Sequence, residues 1–220
     1  MQIRGKIVFE IGLLLALTTS CAKEAFVYPP VKMEFVSVSS NARGALDKLQ
    51  PDKGPLLTIV EDRSATVVTP DTVMRVITNY ERTSPEQAVV YAIGSVLTHT
   101  PEPRDSELFK DGIKRDPIGL ESIWMGREYL NMVLLMKVRE EMHFFQFVEE
   151  KVVEEADRTT VTLSLYHDAS GDNEGYTQNV YASIPLQKYT SSGKEVEVHF
   201  CYRSDAGGMV ETGPFTYKKK

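Results

Sequence analysis

The residues of this chain best suited to chemistry are four histidines and one acidic turn. His99, His143, His167 and His199 are spread along the sequence. A metal centre needs three converging ligands, from histidine, cysteine or carboxylate side chains. His143 shares a strand phase with Phe145 and Phe147, and His167 shares one with Leu165. That phase places both rings at the edge of an apolar core, each with a hydrogen-bonded nitrogen. On neighbouring strands the two rings are able to meet, which keeps a two-histidine site as the alternative. The turn Asp168-Ala-Ser-Gly-Asp-Asn-Glu-Gly175 offers several oxygen donors, the chemistry that calcium prefers. Against the helix–loop–helix calcium pattern, Ser170 falls at the first ligand position and Tyr181 falls where a bidentate glutamate is required. That pattern fails, so a solvated turn is expected, with another kind of calcium loop as the alternative.

Asp168, Asp172 and Glu174 keep an enzyme acting on envelope glycans as an alternative, because paired carboxylates hydrolyse glycosidic bonds. No nucleophile elbow, P-loop, dinucleotide fingerprint, paired-cysteine zinc motif or zinc-protease helix accompanies them. The reading is therefore a non-catalytic chain, with no catalytic residue, metal or cofactor expected. The second candidate is aromatic. Trp124, Tyr129, Tyr166 and Tyr176, with Tyr181, have the amphipathic rings that stack on sugars. Tyrosines on ordinary half-exposed strand faces look the same in sequence.

Net charge is −6, and between residues 56 and 98 the only cations are Arg63, Arg75 and Arg82, against five carboxylates. Single-stranded nucleic acid binds where a basic groove carries stacking rings. The charge excludes that partner class.

These side chains need elements to hold them, and the pattern is of strands throughout. Leu130, Met132, Leu134, Met136 and Val138 alternate with Tyr129, Asn131, Val133, Leu135 and Lys137. Period two is the mark of a pleated strand with one buried face. The break at Arg139-Glu140-Glu141 predicts a hairpin to a strand around Phe144–Phe147, and this pair is expected at the core of an antiparallel β-sandwich spanning 123–220. Residues 149–158 are predicted as a loop. Strands are expected at 161–167, 176–186, 195–202 and 214–217.

Ahead of the sandwich, 104–122 reads as a charged, proline-punctuated connector, and 33–103 as a small OB-like β-domain. Its five predicted strands are 33–39, 56–60, 65–69, 73–79 and 89–98. The polar, glycine-punctuated stretch 41–54 is expected as a loop, which leaves the closure of the barrel open. The fold class is thus all-β, an OB-like barrel followed by a sandwich.

The first twenty residues read as an export signal. Arg4 and Lys6 precede the apolar run Ile7–Leu17, which is interrupted by Glu10 and too short to span a bilayer comfortably. Thr18-Thr19-Ser20-Cys21 resembles the end of a bacterial lipoprotein signal, with Thr18 where leucine is usual and Leu17 one place further back. Cys21 is the expected lipidation site; a cleaved signal with an incidental cysteine is the alternative. Residues 21–32, with Tyr28-Pro29-Pro30, form the expected tether. Lipidation of Cys21 leaves Cys201 without a disulfide partner.

Trp124, Tyr129-Leu130-Asn131-Met132, His143-Phe144-Phe145, Leu165-Tyr166-His167-Asp168, Val196–Tyr202 and Phe215-Thr216-Tyr217 together resemble the NigD-like lipoproteins of Bacteroidetes. So do Met74–Tyr80 and Val96-Leu97-Thr98 in the first domain. The resemblance covers most of the mature chain. It implies an N-terminal OB domain and a C-terminal β-sandwich on a lipid-anchored envelope protein; Ala22-Lys23-Glu24 after Cys21 point to an outer-membrane lipoprotein, at the cell surface or the periplasmic face. The family name derives from a bacteriocin gene cluster, which implies an immunity or accessory role and carries no catalytic residue. The expected partners are the membrane, through the anchor, and an envelope protein, a glycan or a bacteriocin.

Overall fold

The computed structural model describes residues 30–172, 174–190 and 193–218. The expected signal peptide, Cys21 and the tether up to residue 29 lie outside the described residues.

The first half is built from β1 (Lys32–Ser40), β2 (Leu46–Pro51), β3 (Leu57–Asp62), β4 (Val73–Ser84) and β5 (Gln87–Ser95). They close a barrel in the order β1-β2-β3-β5-β4. Val36 and Val38 of β1 point inward to meet Leu49, Leu57, Tyr80 and Val90, so side chains fill the interior. Two sequence expectations change here. The stretch 41–54 is not all loop, because β2 pairs with both β1 and β3 and completes the ring. Asp47, Lys48 and Gln50 hide its alternation, and a strand this short shows only Leu46, Leu49 and Pro51 as its buried positions. Residues 65–69 form no strand; Ala65 has φ +54° and Val67 is 96% exposed. β3 already pairs with β2 and β5, which leaves that apolar run without a ladder.

The second half contains β6 (Glu102–Pro103), β7 (Gly119–Met125), β8 (Tyr129–Val138), β9 (Phe144–Glu154), β10 (Arg158–Asp168), β11 (Tyr176–Pro185), a helical turn α1 (Gln187–Thr190), β12 (Glu195–Arg203) and β13 (Met209–Tyr217). Two sheets pack face to face, one ordered β13-β12-β10-β9-β6 and the other β11-β8-β7. Most pairings are antiparallel; β10–β12 and β6–β9 run parallel. Leu130, Met132, Leu134 and Met136 of β8 are buried against Phe147, Val161, Leu163 and Phe200 of the opposite sheet. Residues 104–122, expected as a connector, hold a 3-10 turn at Glu107–Phe109 and the start of β7.

β8 and β9 do not form the expected hairpin. β8 pairs with β7 and β11, and the chain crosses at 139–143 to put β9 in the other sheet. Both strands carry an apolar face, and stacking those faces buries more apolar surface than pairing their edges. The hairpin instead joins β9 to β10, so most of the predicted loop at 149–158 is strand.

β8 also has a second buried face. Asn131 is 0% exposed and Val133 is buried. The wall of the barrel covers them.

Candidate functional site at the barrel–sandwich junction

Odd-numbered residues of β1 and β4 point out of the barrel, and Phe35, Arg75 and Ile77 meet the outer face of the three-stranded sheet. Arg75, 7% exposed, is the centre of the contact. Its Nη2 donates to Asp52 Oδ2 at 2.7 Å and to Asn131 Oδ1 at 2.9 Å, and its Nε donates to Ser183 Oγ at 3.3 Å. Asn131 Nδ2 donates to Asp52 Oδ2 at 2.8 Å, and Ser183 Oγ donates to Asn131 Oδ1 at 2.7 Å. The guanidinium lies 4.3 Å from the centre of the Tyr129 ring. Charged hydrogen bonds and a stacked ring compensate a cation taken out of water. Gly126 makes room for the network: a Cβ there would stand 2.2 Å from Asp52 Oδ2. Asp52 Oδ1 is buried without a hydrogen-bond partner among the described residues.

Beside this network the two domains wall a cavity of about 390 Å³. Phe35 meets Trp124 edge-on at 5.2 Å between centroids, and Tyr181 at 5.8 Å. These three rings, with Met125, give the cavity an apolar wall, while Asp52 and Glu34 give it a polar end. Glu34 accepts the Tyr80 hydroxyl at 2.8 Å. Burial, and then this carboxylate, push the Tyr80 phenol well above its ordinary range.

The aromatic residues singled out from sequence are thus divided. Trp124, Tyr129 and Tyr181 come together at the junction. Tyr166 lies elsewhere, 5.6 Å from Phe109, and lines a separate cavity of about 310 Å³ with Phe145 and Asp168. Tyr176 is 63% exposed at the start of β11. Phe35, Asp52, Arg75, Asn131 and Ser183 were not singled out. Arg75 inside Met74–Ile77 and Asn131 inside an apolar strand carried a signal, since a polar residue in such a run needs a partner.

His143 and His167 do meet. Burial lowers the basicity of the His167 ring, which is 2% exposed. Its Nδ1 is 3.0 Å from the Asp116 carbonyl, which only accepts, so Nδ1 carries the proton. Nε2 of a neutral His167 then accepts from His143 Nδ1 at 2.9 Å. Phe145 stacks on His167 at 4.7 Å. The nearby turn is held internally. Asp172 Oδ2 accepts the backbone N–H groups of Arg139, Glu140 and Glu141, and Asp168 pairs with Lys114. Among the described residues, no group of three histidine, cysteine or carboxylate side chains is placed to hold a metal.

Barrel and sandwich define an all-β protein with a buried polar network and a shared cavity where the two meet. The model of the NigD-like C-terminal beta sandwich domain matches residues 100–217. A NigD-like immunity protein from Bacteroides caccae ATCC 43185 is 38% identical, with a TM-score of 0.77 over 88% of this chain and 100% of that one. The chain belongs to the NigD-like family. The fold extends further. A candidate toxin-related protein from Parabacteroides distasonis ATCC 8503 shares 17% identity, with a TM-score of 0.68 over 86% of this chain and 93% of its own. A candidate lipoprotein from Bacteroides fragilis NCTC 9343 shares 10% identity, with a TM-score of 0.57 over 86% of this chain and 96% of its own. No curated protein matches the sequence.

Proposed function

We propose that this chain is a non-catalytic binding protein of the cell envelope, anchored through lipid on Cys21, which takes a protein toxin or its receptor at the barrel–sandwich junction. The observation that carries the reading is the cavity walled jointly by Phe35, Trp124 and Tyr181. Aromatic walls beside a few polar groups are how binding sites combine affinity with orientation. Asp172 and Asp168 of the acidic turn are engaged, by the backbone N–H groups of 139–141 and by Lys114, which supports binding over glycan hydrolysis. The bacteriocin-immunity role is supported by the 38% identical relative, itself a NigD-like immunity protein.

The test is a sensitivity assay. A deletion strain, complemented with wild type or with the Trp124→Ala/Tyr181→Ala double variant, is challenged with bacteriocins from neighbouring strains. Deletion should sensitise the cells, wild type should restore resistance, and the double variant, produced at equal level, should not. Equal sensitivity of deletion and wild-type cells removes the immunity role. Full rescue by the double variant removes the cavity as the site.

A further inference from the structure

β11 is the outer strand of its sheet, and its free side is only partly used. Leu97 lies along that side in one parallel bridge to Ala182. The Leu97 N–H donates to the Tyr181 carbonyl at 2.8 Å, and the Leu97 carbonyl accepts the Ser183 N–H at 2.9 Å. Alternate residues of a strand turn both backbone groups to the same side. Tyr181 and Ser183 therefore set the parity. The N–H and C=O groups of Thr177 and Asn179 point away from β8, to the side that Leu97 uses. Among the described residues, no backbone hydrogen bond reaches them there. Tyr176–Asn179 are exposed.

This open stretch borders a groove of about 780 Å³. The other wall is the start of β4, Val73–Arg75, beyond the point where the β4–β5 ladder ends at Val76 and Ser95. Val96 and Val180 add apolar surface. Besides the Tyr181 phenol, the ionisable residues of the lining are Arg75, buried and held by Asp52, and His99. In a chain of net charge −6 the groove thus presents no carboxylate and no lysine. Natural sheets blunt open edges with lysine, proline or a bulge. β11 has none of these from Tyr176 to Asn179, and its register with β8 is unbroken.

We propose that this edge is a strand-addition site for an extended, uncharged segment of a protein partner. The segment pairs with Thr177 and Asn179 through main-chain hydrogen bonds, parallel to β11, and lays alternate side chains against the groove wall. Two features choose this occupant. The Leu97 bridge shows the edge already accepting extended chain in that direction, and the open stretch continues it. The neutral lining offers no counter-charge to a charged segment. The proposal does not depend on the junction cavity binding anything.

The test uses a random heptapeptide display library selected on the mature chain. Enriched peptides are synthesised with ordinary and with alternately N-methylated amides. Uncharged peptides should be enriched, with amide shifts in NMR spectra at Thr177, Asn179 and Tyr181. N-methylation should weaken binding roughly tenfold or more, the loss of about one well-made hydrogen bond or more. Asn179→Pro removes an outward N–H without touching the β8 ladder and should weaken binding similarly. Asn179→Ala keeps that N–H and should bind as wild type. The N-methylated peptides carry the test if the proline variant misfolds. No enrichment, indifference to N-methylation, or shifts confined to other surfaces would overturn the proposal. So would dimerisation through β11, which would give the edge to a second copy.

Discussion

Arg75 shows how one residue can join two domains. Its charge is buried, and its partners come from β4's own domain, through Asp52, and from the sandwich, through Asn131 and Ser183. Removing one partner of such a pair leaves a charge stranded, at a cost of about 3–5 kcal/mol. Asp52→Ala should therefore lower unfolding stability by about that much in urea titrations, and an Asp52→Ala/Arg75→Met chain should recover part of it. A double variant no more stable than Asp52→Ala would argue against the stranded charge. The histidine pair works in the opposite sense, through neutrality. Burial first, then the neighbouring His143, hold the folded-state pKa of His167 below its unfolded value, while the Asp116 carbonyl opposes them. The unfolded chain thus binds more protons as pH falls through about 6.5. The contribution of His167 to stability is complete above that pH and is lost below it. His199, raised mainly by Glu197, has the opposite sign. Comparing wild type with His167→Gln between about pH 7.5 and 5 isolates the first effect. The variant should lose less stability on acidification, and parallel curves would refute the assignment.

β8 is the element on which both halves rest. Its even-numbered residues fill the sandwich core, while its odd-numbered face lies under the barrel at Asn131 and Val133 and emerges into solvent at Lys137. One face of one strand thus changes from core to surface within a few residues. Val133→Asp should cost several kcal/mol, because an unpaired carboxylate would be buried under the barrel wall. Lys137→Ala on the same face should change stability by less than about 0.5 kcal/mol. Equal effects in thermal melts would show that the barrel does not cover this face in solution.

At the scale of the whole molecule, the junction couples two β-domains that each possess a core. Phe35, Ile77 and Val133 form a third apolar cluster between them, packed by Trp124 and Tyr181. Inter-domain contacts with a buried ion pair and an apolar cluster resist separation more than polar ones do. The described body should unfold in one calorimetric transition, with calorimetric and van't Hoff enthalpies agreeing. Two resolved transitions in the wild-type protein would refute the coupling. Partner binding at the junction cavity would raise the midpoint by mass action, which gives the proposed function a readout independent of bacteriocin sensitivity.

Much of this was legible in the residues alone. The alternation Leu130-Met132-Leu134-Met136 revealed a buried strand face, short β-rich segments pointed to barrel and sandwich, and dispersed positions such as Tyr129–Met132 and His143–Phe145 carried the family resemblance. These are local signals, or sums of them. What only the tertiary structure decided was which faces meet. Periodicity says that a face is apolar but does not say what covers it, so β8 and β9 looked like a hairpin and are opposed across the core. β2 was hidden because Asp47, Lys48 and Gln50 break up its three buried positions, and 65–69 looked like strand because propensity is blind to whether a ladder has room. The junction was out of reach for the same reason. Asp52, Arg75, Asn131 and Ser183 are far apart in sequence; there Arg75 and Asn131 stand out only as polar residues in apolar runs, and which groups they bond is decided when the barrel is laid on the sheet.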